Sequence, residues 1–158
     1  MEHEHDAFLA QAIQLAQEGM HNNEGGPFGA IVVKDGQVVG RGNNRVTSTK
    51  DPTAHAEVLA IRDACARLNT FQLTDCVLYT SCEPCPMCLG AIYWARPKAV
   101  YFACTKDDAA AAGFDDSFIY EELDKSHTER KIPMFQRQRE AALRVFTAWQ
   151  SKNDRIDY

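Results

Sequence analysis

Apolar positions change period several times along the chain, and each change marks an element. Phe8, Ala12, Leu15, Ala16 and Gly19 recur at three- and four-residue steps, which predicts a helix over 6–20 with Asp6 as its cap. Gly25-Gly26-Pro27 ends it. Ala30-Ile31-Val32-Val33 reads as a short buried strand, Asp35-Gly36 as a two-residue hairpin turn and Val38-Val39 as the return strand. Gly40 to Asp51 is polar and reads as a loop. A second helix is predicted over 54–68, its buried stripe formed by Val58, Ile61, Cys65 and Leu68. Cys76-Val77-Leu78-Tyr79-Thr80 is a strand, Pro86 opens a helix running to Ala95, and Ala99-Val100-Tyr101-Phe102-Ala103 is another strand. That order is a βαβ unit, with parallel pairing and a right-handed crossover. Asp107 to Gly113 reads as a short helix closed by glycine, and 114–117 and 121–131 as loops. Ile132-Pro133-Met134-Phe135 reads as a last strand, placed at an edge by its proline. Residues 138–150 form an amphipathic helix on Ala142, Leu143, Phe146 and Trp149, and Ser151 to Tyr158 has no packing pattern.

A chain of 158 residues fits one domain. No apolar run approaches the roughly 20 residues of a membrane span. The acidic, polar start, Met1-Glu2-His3-Glu4-His5-Asp6, lacks the basic and apolar regions of a signal peptide, so the expected location is cytoplasmic. Six cysteines in such a chain suggest metal ligation or buried thiols before disulfides. The net charge of −5 is uneven. Residues 130–158 carry seven Lys or Arg against three acids, so the negative charge is concentrated upstream. The dispersed basic residues read as a solvated face, and the acidic remainder would repel a large polyanion, which makes a nucleic-acid partner unlikely. His3 and His5 read as solvated.

The chemistry concentrates in two motifs. Pro84-Cys85-Pro86-Met87-Cys88 contains a Cys-x-x-Cys, and His55-Ala56-Glu57 stands about thirty residues upstream. His55, Cys85 and Cys88 are three ligands of the kind zinc takes, and Glu57 is a carboxylate that need not be a ligand. Three protein ligands leave a fourth position for water, which separates a catalytic zinc site from a structural one. With Pro86 at the first helical position, Cys85 sits at the cap and Cys88 one turn in, pointing the same way. His55 and Glu57 fall at the start of the other helix, where both reach a site off its positive tip. Three alternatives compete: a structural zinc site with Cys82 as fourth ligand, an iron–sulfur cluster on Cys82, Cys85 and Cys88, and simple buried thiols. The ferredoxin-type run expects a fourth cysteine soon after, then proline, whereas the next cysteine is Cys104. Asn43-Asn44 reads as a turn on spacing alone, although each amide could also read polar edges of a small ligand.

His55-Ala56-Glu57 together with Thr80-Ser81-Cys82-Glu83-Pro84-Cys85-Pro86-Met87-Cys88 resembles the cytidine-deaminase-like superfamily. Gly26-Pro27-Phe28-Gly29-Ala30, Asp51-Pro52-Thr53-Ala54, Gly90-Ala91-Ile92-Tyr93-Trp94-Ala95-Arg96, Ala112-Gly113-Phe114-Asp115-Asp116-Ser117 and the terminal Tyr158 are similar to the short bacterial guanine deaminases within it. The resemblance implies a three-layer α/β/α sandwich with a five-stranded mixed sheet. It implies that residues 1–158 are a single deaminase domain, and that 138–158 are exchanged between the subunits of a homodimer. It implies one zinc per subunit on His55, Cys85 and Cys88, with Glu57 as proton shuttle and Asp116 as a second catalytic group. Asn44, Phe28, Ala56, Asp116 and the partner subunit's Tyr158 would meet guanine, which is hydrolysed to xanthine and ammonia. Cys82 has no ligand role in that family. A tRNA adenosine deaminase shares the zinc motifs and is the nearest rival, followed by a cytosine or cytidine deaminase. A non-catalytic zinc-stapled module is the rival from a different class.

Overall fold

In the computed structural model, which describes residues Glu2–Tyr158, β1 (Gly29–Lys34) turns back into β2 (Gln37–Asn43) as an antiparallel hairpin. Asp35 and Gly36 have φ of 50° and 75°, the left-handed pair that a two-residue hairpin requires. β1 also pairs antiparallel with β3 (Cys76–Cys82), and β3 pairs parallel with β4 (Ala99–Cys104). The sheet order is β2-β1-β3-β4, with both senses of pairing. The crossover from β3 to β4 is α4 (Pro86–Ala95), so the βαβ unit forms as the pattern predicts.

Helices cover both faces of this sheet. α1 (Glu2–His21) lies on one face, where Phe8, Leu9 and Leu15 pack against Ile31, Val33 and Tyr79. α3 (Ala56–Leu68) and α4 lie on the other, where Ala56, Ala60, Ala64, Ile92 and Ala95 meet Ala30, Val32 and Leu78. The result is the expected three-layer α/β/α arrangement. The buried stripe of α3 is shifted from the predicted one: Ala56, Glu57, Ala60 and Ala64 are buried, while Ile61, Cys65 and Leu68 pack at the margin of the core. The cause is on the neighbouring strand. A Cβ at Gly40 would stand 2.5 Å from the Ala60 carbonyl oxygen, and one at Gly42 would stand 2.6 Å from the Ala60 nitrogen. Bare glycines on β2 let the helix backbone press onto the strand, and only small residues fit between them.

Several boundaries differ from expectation. α1 starts ahead of Asp6, which lies inside the helix, and Glu2 and Glu4 occupy its first turn, where negative charge suits the positive helix end. His5 is not simply solvated. Its Nδ1 lies 2.8 Å from the Tyr79 hydroxyl, and its ring stacks on Tyr101 at 4.1 Å. The 40–51 stretch extends β2 and adds α2 (Val46–Thr49). α5 (Lys106–Ala111) begins at a capping box: Asp108 N–H donates to the Thr105 hydroxyl, and Thr105 N–H donates to the Asp108 carboxylate.

The chain divides into two compact units, one ending at Asp116 and one spanning Ser117–Tyr158. The second contains α6 (Ser117–Leu123), which the pattern does not predict, and α7 (Arg139–Gln150), which it does. The described residues form a sheet of four strands, not five. Ile132-Pro133-Met134-Phe135 makes no strand pairing. Pro133 offers no ladder donor, and Met134 N–H instead donates to the His127 carbonyl at 2.9 Å.

Candidate active site

Two helix starts carry the two motifs. His55 is the N-cap of α3, with extended backbone and no capping bond from its side chain, so the imidazole is available elsewhere. Cys85 is the N-cap of α4, again with extended backbone and no side-chain capping bond, and Pro86 is the first helical residue after it. Cys88 lies one turn in, on the same side. One donor atom from each of His55, Cys85 and Cys88 lies within 4.8 Å of the others, and no other metal-ligating group of three is found among the described residues. Both sulfurs lie 3.5 Å from His55 Nδ1.

These separations fit zinc. Bonds of about 2.3 Å to sulfur and about 2.0 Å to nitrogen, at a tetrahedral angle, set the sulfur–nitrogen edge at about 3.5 Å. The donor set of two thiols and an imidazole is also one that zinc takes. Cys85 is drawn down to about 4, first by the hydrogen bond from the Cys88 thiol and further by His55, against the cost of burial. As donor in that pair, Cys88 is pushed well above the ordinary thiol range. His55 is raised, chiefly by its hydrogen bond with Cys85. A metal ion held by these three groups would displace their protons.

Cys82 stands apart. Its thiol faces the Thr105 carbonyl oxygen at 3.6 Å, and burial pushes it up to about 11. It is not the fourth donor of a structural zinc site, and the Cys82-Cys85-Cys88 run does not converge as a cluster site would. All six thiols are free of disulfides.

Glu57 is 6% exposed, on the first turn of α3 beside the cluster. Its Oε1 lies 3.3 Å from the Thr80 hydroxyl, and burial raises its carboxyl above the usual range. Asp116 is half-buried. Its carboxyl is raised first by burial and, against a hydrogen bond from its own amide, by the charge on Cys85. Asn44 is buried, and its Oδ1 accepts from the Gly26 amide at 3.2 Å and the Val46 amide at 3.1 Å. The turn role that its spacing suggests is therefore real, and it leaves the amide hydrogens as the remaining polar function. Asn44 N–H donates to the Phe28 carbonyl at 3.0 Å, tying these two expected site residues together. The Phe28 ring meets Phe114 edge-to-face at 4.9 Å. Ala56 is fully buried in the core, so only its backbone amide, at the helix start, can serve a ligand. Tyr158 belongs to the second unit and is 71% exposed.

Thr80 and Phe114 are site neighbours to which sequence reasoning assigned no role. Thr80 lies on the strand that leads into the cysteine motif, and Phe114 lies within Gly113-Phe114-Asp115-Asp116; only their places beside those motifs could have flagged them.

This arrangement, two helix starts delivering His/Cys/Cys with a buried glutamate beside them, defines a zinc-type hydrolytic site. The chain belongs to the family described as the cytidine and deoxycytidylate deaminase zinc-binding region, whose model matches residues 2–104. It is 58% identical over 154 residues to the guanine deaminase of Bacillus subtilis, covering 98% of this chain and 99% of that protein. The crystal structure of the Bacillus subtilis guanine deaminase superposes with a TM-score of 0.95, covering 98% of each chain. The tRNA-specific adenosine deaminase of Aquifex aeolicus is 46% identical over 96 residues, covering 61% of this chain and 63% of that one.

Proposed function

We propose that the chain is a zinc-dependent guanine deaminase that hydrolyses guanine to xanthine and ammonia. The observation that carries the proposal is the His55–Cys85–Cys88 triangle with buried Glu57 beside it, in a chain 58% identical to a guanine deaminase over nearly its whole length. His55, Cys85 and Cys88 would hold one zinc ion per subunit. Bound there, zinc supplies Lewis acidity and lowers the pKa of a coordinated water from about 15.7 to about 7.

The remaining work falls to the chain's own groups. Glu57, buried and raised, accepts a proton from the attacking water, delivers it to the purine N3 as C2 is attacked, and then helps protonate the departing amine. One carboxylate so serves as base and then acid. Thr80 steadies Glu57 through its hydroxyl. Asp116 holds the 2-amino group and assists its departure. Asn44, with its carbonyl oxygen engaged by two backbone amides, donates to an acceptor on the purine edge. Phe28, buttressed by Phe114, lines the ring's face.

A homodimer belongs to the same reading, with 138–158 exchanged so that the partner subunit's Tyr158 closes the site. In support, no residue of the second unit is buried, and Ile132, Phe135, Val145 and Phe146 are 82%, 72%, 68% and 66% exposed. Such a run of uncovered apolar side chains calls for a partner surface. A cytoplasmic location fits six free thiols, and no described helix is long and apolar enough to cross a membrane.

The test is ammonia release by the zinc-loaded protein from guanine, adenine, cytosine and cytidine. Release from guanine alone is expected. Silence on all four, with strong salt-sensitive binding of tRNA, would favour the adenosine-deaminase reading, which the basic residues of 130–158 and the Aquifex aeolicus relative support.

A further inference from the structure

We propose that Glu83 is a positioning residue, a brace between the metal-ligand turn and the segment that carries Asp116. Glu83 lies between Cys82 and Pro84, two residues before Cys85, yet its carboxylate is outside the His/Cys/Cys cluster. Its Oε2 accepts the Lys106 amide at 2.8 Å, and its own amide donates to the Cys104 carbonyl at 2.8 Å. Glu83 thus reaches across from the end of β3 to the start of α5.

From Lys106 onward the chain forms a stiff lever. The Thr105–Asp108 capping box closes its near end. At its far end Ala112 N–H donates to Asp108 and Phe114 N–H donates to Ala109 at 2.9 Å. Gly113 then turns with φ of 96°, and Phe114 seats on Phe28 two residues before Asp116. A shift at Lys106 is carried along the helix to Asp116. The Lys106–Glu83 bond lies at the surface, so without it the Lys106 amide turns to water and the fold survives.

The inference rests on Asp116 being a substrate group, and the test separates the two. Glu83→Ala, Glu83→Gln, Asp116→Ala and the Glu83→Ala/Asp116→Ala double variant are compared for zinc content, for kcat/KM on guanine and for amide hydrogen exchange across 112–116. Glu83→Ala is expected to keep its zinc, to exchange faster across 112–116 and to lose about tenfold in kcat/KM, nearly all of which disappears in the Asp116→Ala background. Glu83→Gln keeps an acceptor oxygen and should retain most of the activity. Unchanged exchange, loss of zinc or additive effects in the double variant would each overturn the proposal. If the parent protein leaves guanine intact, the functional reading fails, and the exchange comparison still decides whether Glu83 braces the segment.

Discussion

In the proposed chemistry, Glu57 is the residue on which the reaction turns. A carboxylate 6% exposed and raised by burial is poised to take up and release a proton, which an exposed glutamate at its ordinary pKa does less well. Glu57→Gln preserves size and the contact with Thr80 while removing the titration. It is expected to bind zinc as the parent does and to lose about 10²–10⁴-fold in kcat, read by metal analysis and ammonia release on the same sample. Substantial turnover in that variant would remove the shuttle role. The residues of the cluster were legible because their spacing is dictated by local geometry: a histidine cap, a cysteine cap and a cysteine one turn later. Asn44 was half legible, since its turn role and a ligand role share one side chain. His5 and Thr80 were not legible, because their partners, Tyr79 and Glu57, are more than twenty residues away in sequence.

At the scale of elements, the site depends on how closely α3 lies against β2. Gly42 faces Ala56 and Ala60, at the turn of α3 that presents His55 and Glu57. Gly42→Ala inserts a methyl group against the Ala56 carbonyl oxygen, a backbone atom with no rotamer to yield. It is expected to destabilise the fold by about 1–3 kcal/mol and to lower activity by displacing the helix start. Denaturant midpoints and ammonia release check the two effects, and an unchanged midpoint would count against close packing as the positioning device. The hairpin, β3, α4 and α7 arise from hydrophobic period and turn chemistry alone. The alanine stripe of α3 does not, because it is set by glycines on another element and the larger Ile61 and Cys65 mislead. The start of α5 was written in Thr105-x-x-Asp108, a capping pattern weaker in aspartate than in its usual glutamate form.

For the whole molecule, the second unit holds apolar side chains that its own 42 residues leave uncovered. That makes the exchange of 138–158 testable by complementation. Deleting Ile156 to Tyr158 is expected to reduce kcat/KM by at least about tenfold without loss of fold. Mixing that variant with Glu57→Gln under conditions that let subunits exchange should restore activity, because each intact site would then receive a tail from the other chain. No recovery in verified mixed dimers would mean that a tail serves its own subunit. The fifth strand was misread because Ile132-Pro133-Met134-Phe135 has strand-like composition, yet it pairs with no strand among the described residues.

If water adds to guanine C2 at this site, the new oxygen of the product comes from solvent. The most direct measurement is to incubate the zinc-loaded protein with guanine in ¹⁸O-enriched water and weigh the product. Xanthine carrying one ¹⁸O is expected, formed in step with ammonia and about 10²–10⁴-fold more slowly with Glu57→Gln. Guanine recovered unchanged from protein with zinc in place would contradict the proposed chemistry.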